Sequence, residues 1–259
     1  MAADLRVDVD GPVATVTLDR PDALNALTVP LKVALIEALQ KLAAERSVRV
    51  VVLTGAGRAF CAGQDLAERD DPAAPPLDVE LRERYHPIVR AIRSMPQPVI
   101  AAVNGVAAGA GASIAFACDL RIAAADARFV LAFGRIGLAP DSGMTWTLPR
   151  LVGPTRAAEL AMVGDPVLAD EALRIGLVGR VVAADQLLAE AQALARRLAG
   201  GAPMAIAATK WLLEDAWTSD LDTALEAEAT TQGQLGSSAD HAEGLAAFRE
   251  KRPPRFGGD

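Results

Sequence analysis

The chain has 259 residues, of which 51% are apolar, 23% charged and only 4% aromatic. That length suits one domain with an appendage, and the core must be built from Ala, Val, Leu and Ile. The formal net charge of −7 argues against a nucleic-acid partner but still permits an anionic ligand held by a few local cations and helix N-termini.

The N-terminal residues 1–16 show no basic region followed by an apolar one, so no secretory leader is expected. Val13 to Leu18 alternates and predicts a half-buried strand. Residues 29 to 45 place Leu31, Leu35, Leu39 and Leu42 at helical spacing. The run from Arg49 to Gly55 predicts a strand buried on both faces. Residues 66 to 78, polar and rich in proline, read as a surface loop. A helix from 78 to 95 leads to a second buried strand over 98–103. A glycine-rich turn and a short helix follow, then strands at 119–124, 128–132 and 177–182. No apolar run reaches the roughly 18 residues of a membrane span. Strand, loop and helix alternate through residue 182, which predicts an α/β core.

Beyond residue 184 the pattern turns helical, over 185–199, 203–217 and 220–251, the last broken around Gly233–Ser238. Leu187, Leu188, Ala191, Leu194, Ala195 and Leu198 fall on one face of the first helix. The expected division is therefore a core over 1–184 and a helical region over 185–259. Apolar faces on such an appendage point to packing on the core or on a second subunit.

Two strand-to-loop segments draw attention. Gly55-Ala-Gly-Arg-Ala-Phe-Cys-Ala-Gly-Gln-Asp-Leu follows the 49–54 strand, and Asn104-Gly-Val-Ala-Ala-Gly-Ala-Gly-Ala-Ser follows the 98–103 strand. Small residues let backbone amides approach a ligand, and the second segment opens a helix whose first N–H groups are free. Two amides converging on one oxygen make an oxyanion hole; tight turns alone would also account for the glycines. A dinucleotide fingerprint fits poorly. Ile114 stands where a third small residue is needed, and only Asp126 lies near the expected ribose-binding acid.

Phe60-Cys-Ala-Gly-Gln-Asp-Leu, Ala102-Val-Asn-Gly-Val-Ala-Ala-Gly-Ala-Gly-Ala and Leu138-Ala-Pro-Asp-Ser-Gly-Met-Thr-Trp together resemble the crotonase (enoyl-CoA hydratase/isomerase) superfamily. Leu18-Asp-Arg-Pro-Asp-Ala-Leu-Asn-Ala-Leu and Ala247-Phe-Arg-Glu-Lys-Arg extend the resemblance, which runs from about residue 5 to 257. It implies an α/β spiral of ββα units with a C-terminal helical region that builds a homotrimer or a hexamer (a dimer of trimers). It implies an acyl-CoA thioester as substrate, with coenzyme A part of that substrate and no separate cofactor. The amides of Ala62 and Ala110 would hold the thioester oxygen. The coenzyme A arm would lie along Arg20, Ala23, Leu24 and Ala26 and along Ala62 to Leu66, which includes Gly63, Gln64 and Asp65. Gly109, Phe133, Phe248 and Lys251 complete the implied binding set.

Hydratases of this superfamily carry two glutamates for water addition. The matching positions here are Ser113 and Phe133, neither of which can replace a carboxylate base. Asp141, where hydratases carry glycine, stands where superfamily isomerases and dehalogenases place an acid. Burial would raise its pKa from near 3.9 and make it a better base. Its plainer readings are a turn after Pro140 or a helix cap over Ser142–Leu148. The implied chemistry is proton removal at C2 and return at C4 through a thioester enolate. The likeness extends to the epoxyphenylacetyl-CoA isomerase branch, with Met144 replacing a glycine. Hydration by Asp141 alone, thioester hydrolysis, and acyl-CoA binding without turnover remain the alternatives.

The other polar residues have plainer readings. Cys61 and Cys118, far apart in sequence, fit a reducing cytoplasm and not a disulfide scaffold, and Cys61 reads as a small core residue. His86 and His241 show no metal-ligand spacing, so no metal is expected. Ser113 reads as a helix-interior serine. Gln64 and Asp65 either touch ligand or cap the next helix. Arg20, Arg58 and Lys251 are candidates for phosphate contacts or for surface solvation, and Tyr85 and His86 for the acyl pocket wall.

Overall fold

A computed structural model describes residues 4–72 and 74–259. The N-terminal reading at residues 1–3 and the loop reading at Ala73 fall outside it.

Two sheets form the frame. The larger has six strands: β1 (Leu5–Asp10), β2 (Val13–Leu18), β3 (Val50–Gly55), β5 (Val99–Val103), β7 (Leu120–Ala124) and β10 (Arg180–Val182), in that spatial order. The smaller has four: β4 (Ala59–Cys61), β6 (Val106–Ala108), β8 (Arg128–Val130) and β9 (Val167–Leu168). All neighbours run parallel except β1 with β2 and β8 with β9. Each of β3–β4 and β5–β6 sends its first strand to the large sheet and its second to the small one. The chain then turns into a helix. That is the ββα unit the α/β expectation called for.

The Val13–Leu18 strand is buried along its whole length, not half-buried. β1 pairs along one side of it and β3 along the other. Helix α1 (Val29–Ala44) and helix α9 (Leu187–Ala199) both pack against it. Thr15 and Thr17 supply the polar positions that looked like a solvent face, yet both are buried. β1 itself is an exposed edge strand that composition did not disclose.

Helix α1 buries Leu31, Leu35, Leu39 and Leu42, as the spacing requires, and the Thr28 hydroxyl caps it by accepting from the Leu31 amide at 3.3 Å. The expected 66–78 loop contains one helical turn, α2 (Leu66–Arg69). The helix after it begins at Leu77 and continues through α3 (Leu77–Glu80), a π-helical stretch over Leu81–Tyr85, and α4 (His86–Ser94). Helix α5 (Ala110–Ala117) is buried at every residue, with small residues at all positions but Ile114 and Phe116. Helices α6 (Met144–Val152), α7 (Pro154–Val163) and α8 (Ala169–Arg174) complete the core.

Helix α9 lies across β2, β3, β5 and β7 and buries Leu187, Ala191, Ala195 and Ala199. The buried stripe is thus every fourth residue, and Leu188 stands 44% exposed beside it. The composition change at residue 184 therefore precedes a helix that closes the main core. Helices α10 (Pro203–Asp215), α11 (Leu221–Gly236) and α12 (Ala239–Glu250) lie beyond it, with the break at residues 237–238 close to where the glycine and serines suggested. No helix among the described residues is long and apolar enough to cross a membrane.

Helix α5 sits hard against β4. A Cβ on Gly111 would lie 2.3 Å from the Cys61 carbonyl oxygen, so Gly111→Ala must push the helix off the strand. Thermal unfolding of that variant should show a loss of about 1–3 kcal/mol, or roughly 2–12 °C in Tm for a chain of this size; an unchanged Tm would mean that the contact is loose.

Candidate active site

A cavity of about 320 Å³ opens between the small sheet, the N-terminus of α5 and the α3–α4 helical run. Its wall is largely apolar, with Leu66, Leu77, Leu81, Val130, Phe133 and Ile136 prominent. Only a few polar groups face it, and their placement follows from the backbone.

The segment after β4 runs beside Leu24–Leu27. Ala62 donates its amide to the Leu24 carbonyl at 3.0 Å, Leu27 donates to the Gly63 carbonyl at 2.7 Å, and Asp65 donates to the Leu27 carbonyl at 3.2 Å. The last two bonds make a parallel bridge between Leu27 and Gln64, in which the Gly63 carbonyl and the Asp65 amide point at Leu27 and the Gln64 amide points away. The Ala62 N–H, bonded to Leu24, is spent inside the protein and is unavailable to a substrate oxygen, contrary to expectation. The Gly63 amide donates to the Cys61 sulfur at 3.5 Å, whereas the Gln64 amide, two residues past Ala62, has no hydrogen-bond acceptor among the described residues, and Gln64 lines the cavity.

Ala110 meets the expectation in geometry. It is the first residue of α5, so its N–H has no intrahelical acceptor, no other acceptor is found for it among the described residues, and it borders the same cavity beside Gly109. The two segments touch. Gly63 has φ +92°, and a Cβ there would lie 2.9 Å from the Ala108 carbonyl oxygen and 3.5 Å from the Ala110 nitrogen. Only glycine allows that approach.

Asp141 lies in the loop after the short helical turn Ala132–Ile136 and borders the cavity. It does not cap α6: the cap is Gly143, without a side-chain bond. The carboxylate accepts instead from the Ser142 hydroxyl at 2.8 Å. Ser142 is buried with φ +53°, a left-handed conformation that costs a non-glycine residue about 1 kcal/mol or more. Burial pushes the Asp141 pKa above the usual aspartate range, against smaller downward pulls from the Ser142 hydroxyl and nearby His86.

Ser113, fully buried, places its hydroxyl 3.1 Å from the Asp141 carbonyl oxygen and 3.3 Å from the Gly109 carbonyl oxygen. Phe133 is buried in the cavity wall and would come within 3.9 Å of a side chain on Gly109. Met144 is fully buried in the hydrophobic core and is not part of the cavity wall.

Glu80 is the other carboxylate on the wall. It is buried between Lys32 and Arg84, with an ion pair to each. The Lys32 ammonium also lies 4.9 Å from the centre of the Tyr85 ring. The Tyr85 hydroxyl donates to Gln64 Oε1 at 2.6 Å, and burial drives its pKa up, so the phenol stays neutral. No sequence motif revealed this Lys32–Glu80–Arg84 cluster; a lysine on the apolar stripe of α1 was the one available sign.

Several expected binding residues serve the frame. The Arg20 guanidinium bonds the Ala26 carbonyl and pairs with Asp65 at 2.9 Å and Asp4 at 3.4 Å. It braces the Leu24–Leu27 segment, and it is not free for a phosphate. Asp65 caps α2 through the Ala67 amide at 3.1 Å. Ala23, Leu24 and Ala26 back the 62–65 segment and stand outside the cavity wall. Leu66 lines it but is 67% exposed. Phe248, 85% exposed on α12, and Lys251 just after that helix are not brought to the cavity within one chain. Cys61 is buried with its thiol pKa pushed up to about 12, so it is no nucleophile.

Comparison with known proteins agrees with this frame. The Enoyl-CoA hydratase/isomerase family model matches residues 8–259. A Rhodobacter capsulatus protein named "Probable enoyl-CoA hydratase" is 47% identical over 98% of both chains. The 1,2-epoxyphenylacetyl-CoA isomerase of Escherichia coli K12 is 44% identical over 96% of this chain and 97% of its own. The crystal structure of an enoyl-CoA hydratase from Bacillus anthracis superposes with a TM-score of 0.95 at 36% identity, covering 99% of this chain and 100% of that one. On its sequence and on its fold, the chain belongs to the enoyl-CoA hydratase/isomerase family.

Proposed function

We propose that the protein is an acyl-CoA isomerase that shifts a double bond through a thioester enolate. The observation that carries this reading is a single untied carboxylate, Asp141, on the wall of an apolar cavity that also presents two unpartnered backbone amides. The thioester carbonyl oxygen would accept from the N–H groups of Gln64 and Ala110. As C2 loses its proton, negative charge builds on that oxygen, and fixed donors in a site shielded from water stabilise it at little reorganisation cost. Asp141 takes the proton from C2 and returns it at C4. Its raised pKa matches a base to a weakly acidic carbon better than an ordinary aspartate would.

Hydration is the second reading, favoured by the Rhodobacter relative's name. Against it, Glu80 is held by two cations, the Ser113 hydroxyl is turned to carbonyl oxygens, and Phe133 has no proton to give. Asp141 would have to activate water and protonate the product alone. The Escherichia coli relative's name supports a ring-epoxide thioester among the substrates. Self-assembly through α10–α12 belongs to the same reading; Leu213, Leu221 and Phe248 there are each more than half exposed, and a neighbouring copy could receive Phe248 and Lys251.

Incubation with 3-enoyl-CoA, 2-enoyl-CoA and an epoxyphenylacetyl thioester tests the reading: double-bond migration is expected, and water uptake without migration would replace it by the second. Asp141→Asn should lower kcat for migration by about 10²–10⁴-fold while substrate affinity stays close to wild type. Undiminished turnover in that variant would remove the mechanism.

The base must be ionised, so kcat/KM should fall on the acid side through a pKa above the ordinary aspartate value of about 3.9, and a limb at or below that value would contradict the burial argument. Stability follows the opposite sign. A raised carboxyl pKa means the folded state binds the proton more tightly than the unfolded one, so its contribution is present at low pH and lost as pH rises through the folded value. Asp141→Asn should therefore melt above wild type at neutral pH, with the gap closing as the pH approaches 4.

Ala110→Pro deletes one donor at a first helical position, where proline is well tolerated. It should fold with a near-normal Tm yet lose about 10²-fold or more in kcat/KM; full activity would assign the oxyanion to other groups.

A further inference from the structure

We propose that Ser113 is a positioning residue that locks the acid/base loop to the peptide group supplying one oxyanion donor. The inference rests on the isomerase reading above and adds to it the means by which the two halves of the site keep their spacing.

Two distances carry the argument. The Ser113 hydroxyl lies 3.3 Å from the Gly109 carbonyl oxygen and 3.1 Å from the Asp141 carbonyl oxygen. The Gly109 carbonyl belongs to the same planar peptide group as the Ala110 N–H, the donor that faces the cavity. A hydrogen bond received by that carbonyl fixes the plane of the peptide and polarises its N–H. The Asp141 carbonyl, for its part, belongs to the residue whose carboxylate moves the proton. A single hydroxyl therefore sits between the oxyanion donor and the base, and its one proton is shared between the two carbonyls.

The neighbouring bonds make this a device for register more than for folding. Gly109 O already accepts from the Ser113 amide at 3.1 Å, and Asp141 O from the Met144 amide at 2.9 Å. Deleting the hydroxyl thus leaves no buried carbonyl without a donor, and the methyl of alanine fits where Ser113 is fully buried. What disappears is the only side-chain hydrogen bond found between helix α5 and the Asp141 loop among the described residues. The loop beyond it holds two consecutive left-handed residues, Ser142 and Gly143, so its conformation needs an external tie. Enolate chemistry is sensitive to such spacing, because the proton must leave C2 while the carbonyl oxygen is gripped.

The test compares Ser113→Ala with wild type and with Asp141→Asn on a 3-enoyl-CoA substrate, following kcat, KM and Tm separately. Ser113→Ala is expected to lower kcat about 10-fold or more while KM moves less than about 2-fold and Tm stays close to wild type. A Ser113→Ala enzyme with wild-type kcat overturns the proposal, provided that Asp141→Asn is inactive. Parallel losses in kcat, affinity and Tm would show a merely structural serine and overturn it too. Full migration activity in Asp141→Asn would instead strike at the isomerase reading itself, whatever Ser113→Ala shows.

Discussion

The contact between two backbone turns governs the site. β4 and β6 lie side by side, and the chain leaving each one brings Gly63 and Ala110 to within a side chain's breadth of each other. Any Cβ at residue 63 or 111 would collide with backbone across that contact. The small sheet exists, in effect, to hold two strand ends at this distance. Its strands are only two or three residues long, and strands that short gain little from pairing alone. Their stability comes from the buried α5 on one side and from the core residues Phe60, Phe116 and Phe129. Phe116 and Phe129 lie ring to ring at 5.5 Å.

Around these donors the protein manages charge by unequal means. Glu80 is paired with both Lys32 and Arg84, so its carboxylate oxygens are already engaged by cations. Its contribution to stability need not be large, since a buried lysine and a half-buried arginine had to be desolvated along with it. Its geometric effect is clearer. The Lys32 ammonium lies over the Tyr85 ring, and the Tyr85 hydroxyl holds the Gln64 side chain, so the cluster braces the residue whose amide faces the cavity. Asp141 accepts one hydrogen bond, from the Ser142 hydroxyl, and has no ion pair among the described residues, so it keeps the chemical freedom that Glu80 has lost.

How much of this could be read from sequence follows from the range of each interaction. The long strands, the α1 stripe and the glycine-rich turns carry local signals and were legible. Asp141 stood out only through the family resemblance, since a turn after Pro140 was the plainer local reading, and the structure places it on the cavity wall. The orientation of an amide is not a local property. Ala62 and Gln64 differ only in which side of the Leu24–Leu27 segment they face, and that depends on a register between residues nearly forty positions apart. The same limit hid the small sheet, because β4, β6 and β9 are too short to show a period. It also hid the role of Arg20, whose partners Asp4 and Asp65 come from separate parts of the chain. Thr15 and Thr17 misled for a simpler reason: threonine satisfies its hydroxyl in a buried strand as readily as at a surface.

The two cavity-facing amides without acceptors among the described residues, those of Gln64 and Ala110, are main-chain groups and survive almost any change in the side chains around them, whereas the Asp141 carboxylate is a side chain and a single substitution removes it. Ser113 is fully buried, and its hydroxyl bonds the very loop that carries Asp141. Replacing serine there by glutamate would add a carboxylate beside a buried aspartate and remove the tie on its loop. Two like charges at close range raise one another's pKa, so the pair would share a proton and the two carboxylates would not act independently. Proteins 47% and 44% identical to this chain carry different activities in their names, so overall likeness alone does not fix the reaction type.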